Sequence, residues 1–119
     1  MKNAMIKRRH DPADRVFEEA MTGLKAEKCL EIEYNDTKRL VELHAICVNE
    51  HGQRMMFVWQ VSGGSRSGQS QGWKYIPLAG VTSLSISLQR SEAPRPGYQP
   101  IIRIDSSVCW FDLVEPQND

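Results

Sequence analysis

Residues 30–36 read Leu-Glu-Ile-Glu-Tyr-Asn-Asp, and this stretch decides the fold. Leu30, Ile32 and Tyr34 alternate with Glu31 and Glu33, a period of two that gives a strand one apolar and one polar face. Asn35 and Asp36 then close the run as a turn, because both tolerate left-handed backbone and bond to nearby main chain. A longer strand follows, with Val41, Leu43, Ala45 and Cys47 expected on one face and Leu40, Glu42, His44, Ile46 and Val48 on the other. Asn49 to Gly52 suits a hairpin turn. Arg54 to Val61 returns as a third strand with Met55, Phe57 and Trp59 on one side.

Further along, Trp73 to Pro77 resumes extended structure, Gly80 marks a turn, and Val81 to Gln89 alternates cleanly. There Leu84, Ile86 and Leu88 are expected inside, with Ser83, Ser85, Ser87 and Gln89 outside. Between the third and fourth strands lies a connection of Ser, Gly and Gln, residues 62–72, longer than the ~2–5 residues usual for a hairpin. Upstream, Asp11 suits an N-cap, Pro12 the first helical position and Asp14 a capping acid. Val16, Phe17, Ala20, Met21 and Leu24 then form one helical stripe, predicting a helix over about 12–27 that covers an open end or face of the strands. Downstream, Ala93 to Pro100 (APRPGYQP) cannot be a central strand, because proline lacks the ladder donor, and reads as a polyproline-II connector. The runs Ile101–Asp105 and Val108–Val114 add edge strands or a short terminal helix. Five short antiparallel strands with one helix predict a mainly β fold, a small antiparallel barrel or curled sheet.

A chain of 119 residues fits one domain, expected over 11–119 behind a basic, disordered head at 1–10. Fifteen Lys and Arg balance fifteen Asp and Glu, whereas a dedicated duplex-DNA binder usually carries a basic excess. The head concentrates Lys2, Lys7, Arg8, Arg9 and His10, and the tail Asp112, Glu115 and Asp119. Such a head serves either as a nucleic-acid or partner contact or as a solvated terminus. Cys29, Cys47 and Cys109 are widely spaced without a CxxC pair, which predicts reduced thiols in a cytoplasmic setting and no metal cluster. No apolar run reaches the ~18 residues a membrane span needs, and no cofactor motif stands out.

Three groups of residues invite chemistry. Residues 63–70, GGSRSGQS, match a phosphate-binding loop except that Gln69 replaces its lysine; a strand follows where a helix should, so the stretch reads as a flexible loop. Glu42 and His44, two apart on a strand, fall on one face about 7 Å apart. They form either a site where the carboxylate tunes the imidazole or a pair on a half-exposed rim. Trp59, Trp73 and Tyr75 bracket the Ser/Gly loop, with Arg66 and Lys74 close in sequence. Rings beside cations suit a nucleobase or another planar anion, although a strand tryptophan also serves as core.

The order LEIEY, RLVELHAI, a glycine turn, VWQVSG, a variable loop, GWKYIPLAGVTSLSI and PRPGY, over about residues 27–98, resembles the WYL domain, a bacterial regulatory module. The resemblance implies an SH3-like or Sm-like β-barrel that senses a nucleic-acid or nucleotide-like ligand. Glu42 and His44 match the family's second-strand segment, with Leu43 where proline is usual, and Lys74 matches a basic residue following Trp73. The family's helix-turn-helix has no counterpart, so a divergent stand-alone relative is expected.

The leading functional expectation is a non-enzymatic module binding a nucleotide, oligonucleotide or other anionic ligand through Glu42, His44, Trp59, Arg66, Trp73, Lys74 and Tyr75. The rival is a protein-interaction or homodimerisation module using the apolar strand near Ile101–Ile104 and the Trp110-Phe111 pair. An enzyme built on Glu42 and His44 would also need a concave site holding a nucleophile or ordered water.

Overall fold

A computed structural model of the chain describes residues 12–49, 51–98, 103, 104 and 107–112. The basic head 1–10, the Asp11 cap, Ile101 and the side chains of Cys109, Trp110 and Phe111 lie outside the described residues. One helix, α1 (Pro12–Lys25), precedes β1 (Lys28–Tyr34), β2 (Thr37–Val48), β3 (Arg54–Gly63), β4 (Gly72–Pro77) and β5 (Val81–Arg90). Two further strands, β6 (Arg103–Ile104) and β7 (Ser107–Asp112), follow.

The turn read from Asn35-Asp36 forms, with φ of 54° and 60° at the two residues and Tyr34 opposite Thr37. Two left-handed central residues make the twist of this connection match that of the strands it joins. All pairings are antiparallel, and the main path runs β4-β3-β2-β1-β5. A 3-10 turn at Leu78–Gly80 carries the chain from β4 to β5 at the far end of that path. This is the mainly β, barrel-like arrangement expected from the alternation, with the sheet left unclosed. The long strand β2 is its spine. On one side β2 pairs with β3; on the other it pairs with β1 through Thr37–Val41 and with β7 through Ala45–Val48.

The helix covers the opening. It packs over β1, β5 and the 3-10 turn, with Val16 and Ala20 buried in the same cluster as Leu30, Ile32, Val81 and Leu78. Its first turn is tied to β3 by an Asp14–Arg54 ion pair of 2.6 Å, and the Arg54 guanidinium lies over the Phe17 ring. The helix stops at Lys25, short of 27, because Glu27 turns left-handed at φ 59° and its N–H bonds back to the Leu24 carbonyl.

Two irregularities redirect side chains that strict alternation would place elsewhere. In β2, Leu43 faces Val58 and Ala45 faces Phe57, so His44 is an extra residue in a bulge. Beyond it the faces exchange: Ile46 joins Val41 and Leu43 in the helix-side core, while Ala45 and Cys47 are buried on the opposite side. In β5, Lys28 faces Arg90 but Leu30 faces Ile86, so three β5 residues lie opposite Cys29. Leu88, expected inside, is pushed out to 91% exposure, Ile86 is 39% exposed, and Leu84 packs against the core.

The Ser/Gly connection is anchored where it leaves β3. Gly63 has φ 118°, and a Cβ there would sit 2.4 Å from the Lys38 carbonyl and 2.6 Å from Arg39 Cα. Backbone neighbours cannot step aside, so Gly63→Ala is expected to cost about 1–3 kcal/mol of stability. Gly68, at φ 86° with nothing within 4 Å of where a Cβ would sit, is the comparison site. Urea denaturation should rank Gly68→Ala as the milder change, and equal effects would contradict the close crossing.

Candidate ligand-binding face

The sheet face turned away from α1 carries the ring-bearing residues. Register places Glu42 beside Trp59 and Trp59 beside Trp73; one step along, Ala45, Phe57 and Tyr75 align in the same way. Phe57 and Trp73 stack at 5.0 Å with planes 12° apart. Trp59 meets Trp73 edge-on at 5.2 Å, and Tyr75 meets Phe57 edge-on at 4.8 Å. These offset and T-shaped contacts suit the ring quadrupoles and form one continuous run from Trp59 to Tyr75.

Residues 91–98, which include the described part of the polyproline connector expected over 93–100, fold over this face as a strap. Ser91 N–H bonds to the Glu27 carbonyl, and the Tyr98 N–H closes a turn onto the Arg95 carbonyl, with Gly97 at φ 95°. Proline then a left-handed glycine at the two central positions is the type II turn pattern, which ends the extended run and brings Tyr98 back to the sheet. Two side chains of β2 hold the strap. The Glu42 carboxylate accepts from Arg95 Nε at 2.9 Å and Nη2 at 3.0 Å, and from the Glu92 N–H at 3.0 Å. His44 Nε2 accepts from the Arg95 N–H at 3.0 Å, and Nδ1 lies 3.1 Å from the Glu42 carbonyl. A carbonyl only accepts and an amide only donates, so the ring is the neutral tautomer with its proton on Nδ1.

Glu42 is 1% exposed and His44 is fully buried. The pair is therefore neither a rim pair nor an open acid–base pair: each group is committed to the strap. Arg95 also lies 4.9 Å over the Trp59 ring, and Tyr98 lies 4.9 Å from His44 and 5.9 Å from Trp73. Hydrogen bonding to Glu42 holds the Arg95 guanidinium above its ordinary pKa, the direction expected for a paired cation.

The other predicted site residues divide between the two faces. Trp59 and Trp73 are half-buried under the strap, while Tyr75 is half-exposed at the end of the ring run. Lys74 pairs with Val58 and so projects on the helix-side face, where its ammonium bonds to Ser65 Oγ and the Gln69 carbonyl, both at 3.0 Å. It braces the Ser/Gly loop instead of joining the rings. Buried Gln60 braces the same loop by donating to the Gly64 and Ser70 carbonyls, and Arg39 Nη1 donates to its Oε1. Burial lowers the Arg39 pKa, opposed by the electrostatic influence of Tyr34, over whose ring the guanidinium sits. Arg66 is exposed at the loop's tip.

Arg95, Tyr98 and Phe57 complete the arrangement, and the sequence reading does not place them in it. A signal exists all the same: an acid amid the apolar residues of β2 needs a cation, and Arg95 stands between two prolines that fix its backbone. A separate cleft of about 330 Å³ lies at the strap's base, between Leu24, Lys28, Leu43, Arg90 and Glu92. Among the described residues no group of three His, Cys, Asp or Glu is placed to hold a metal ion, and no helix is long and apolar enough to cross a membrane.

The fold and this face define a small antiparallel β module with a strapped aromatic surface. No family model, curated protein or solved structure matches the chain, so these residues alone carry the reading of its function.

Glu42→Gln keeps the shape but removes the charge opposite Arg95. It is expected to cost about 2–3 kcal/mol, at or below the ~3–5 kcal/mol of breaking a fully buried pair, because Arg95 is partly exposed. An unchanged urea midpoint would contradict the latch. Close by, burial raises the Cys29 thiol to about 11, with the Glu42 charge adding to the effect and Arg95 opposing it. An unfolded thiol ionises near its ordinary value while the folded one stays protonated, so Cys29 contributes stability that is lost as pH rises from about 9 to about 11. Melting curves across that window should fall more steeply for the native chain than for Cys29→Ala; parallel curves would contradict this.

Proposed function

We propose that the chain is a non-enzymatic, regulatory binding module that takes a planar anionic ligand, a nucleotide or short single-stranded oligonucleotide, at the exposed part of its aromatic face. The observation that carries this is the unbroken ring run that, among the described residues, joins Trp59 through Trp73 and Phe57 to half-exposed Tyr75. A base stacking on Tyr75 would extend the run. Support against an enzymatic reading is that Glu42 and His44 are already consumed by the strap. The resemblance to WYL domains points the same way, toward sensing by a small barrel, and the buried free thiol of Cys29 agrees with a reducing, cytoplasmic setting.

Titration with a panel of nucleotides and oligonucleotides at low salt is expected to change tryptophan fluorescence and raise the melting temperature. Tyr75→Ala should weaken binding roughly tenfold or more, from a loss of ~1–3 kcal/mol of stacking. A flat response across the panel removes the proposal.

Self-association is a second reading, favoured by one observation. Leu88 stands 91% exposed with Ile86 on β5, the end strand of the main sheet path. Exposed apolar residues on an end strand invite pairing with a second copy. Light scattering should then show a concentration-dependent dimer that Leu88→Glu dissolves, and a native monomer at every concentration would remove this reading.

A further inference from the structure

The Glu42 end of the face is built for one kind of side chain. A guanidinium presents paired N–H groups in a plane, and here two of them meet the two oxygens of one carboxylate at 2.9 and 3.0 Å while the plane's far side lies over an indole at 4.9 Å. An ammonium offers a point charge and no flat surface, so it satisfies neither demand fully. The main chain is read as well. Pro94 and Pro96 have no N–H, and the Glu92 and Arg95 N–H groups are spent on Glu42 and His44. Tyr98 supplies a fourth anchor against His44 and Trp73. Charge, plane, backbone and ring are thus each matched by a receiving group on β2, β3 or β4, with the carboxylate and imidazole of that set buried.

We propose that this surface is an arginine-recognition site, that segment 92–98 is its built-in ligand, and that a proline-flanked arginine in an extended segment of a partner protein competes for the same place. The inference does not depend on nucleotide binding at Tyr75: it concerns a different ligand class at the opposite end of the ring run. Because the built-in ligand is tethered, it acts at an effective concentration in the millimolar range, and a partner peptide meets a site that is already filled. Removing the tethered side chain unmasks the site.

The test uses the full chain and the peptide acetyl-Glu-Ala-Pro-Arg-Pro-Gly-Tyr-amide, which reproduces residues 92–98, followed by calorimetry and by the indole N–H signals of Trp59 and Trp73. Arg95→Ala is expected to bind the peptide at least tenfold more tightly than the native chain. A version with lysine for arginine should bind at least tenfold more weakly to the same variant, and adding Glu42→Gln to Arg95→Ala should abolish binding. If Arg95→Ala does not fold, Arg95→Lys keeps the charge without the planar fork and is expected to accept the peptide in the same order of preference. Equal binding of the arginine and lysine peptides would overturn the proposal, as would a folded Arg95 variant that takes up neither; residues 91–98 would then be a structural brace only.

Discussion

The ion pair between Glu42 and Arg95 governs how this molecule is put together. A carboxylate taken almost wholly out of water loses several kcal/mol of hydration, which only a close cation and further donors can offset. The compensation comes from fifty or more residues away: the guanidinium and the Glu92 N–H reach across from the strap to an acid in the middle of β2. Glu42 therefore fixes the path of the chain after β5. The bulge at His44 makes the second half of the latch possible. By inserting one extra residue it sets the imidazole beside the carboxylate, where its free nitrogen can receive the Arg95 N–H.

The latch gives the sheet two buried faces of different character. One is an ordinary apolar core, in which Val16 and Ala20 of the helix meet Leu30, Val41, Leu43, Ile46, Met56 and Val58. The other is polar at its centre and aromatic along its side, closed by a strap lacking regular secondary structure over residues 91–98. Stability and recognition are divided accordingly. Apolar burial on the helix side is non-directional and holds the fold, whereas the strap side depends on donors and acceptors placed to within a few tenths of an ångström. A surface of the second kind discriminates between ligands, because any replacement for the strap must satisfy the same buried groups.

Much of this is legible in the sequence, and where it is not the reasons are physical. Alternation at Leu30–Tyr34, the Asn35-Asp36 turn and the stripe from Val16 to Leu24 are local signals, and each becomes the element expected. Alternation fails at His44 because a one-residue bulge changes the parity of β2, and at Leu88 because three residues of β5 stand opposite one of β1 and carry Leu88 out of the ladder; both positions are set by pairing with a neighbour far away in sequence. Grouping Lys74 with Trp73 and Tyr75 rests on adjacency along the chain, yet adjacent strand residues project to opposite faces, and Lys74 goes to the loop. Glu42 and His44 stand out as a pair, but their partner lies in a proline-rich segment whose backbone can be anticipated and whose docking cannot. The Ser/Gly loop, which by composition alone is merely flexible, has beneath it buried Gln60, held by Arg39, and the Gly63 crossing over Lys38 and Arg39, both contacts with a strand far back in sequence.

The central claim is that the strap is latched onto β2 through Glu42 and a neutral His44. Nitrogen-15 NMR of the His44 ring together with hydrogen exchange at the Arg95 amide reads both sides of that contact in one sample. The account predicts a proton on Nδ1, a bare Nε2, and an Arg95 amide protected as well as those of β2. A proton on Nε2, or an Arg95 amide exchanging as fast as the exposed tip of the Ser/Gly loop, would contradict it.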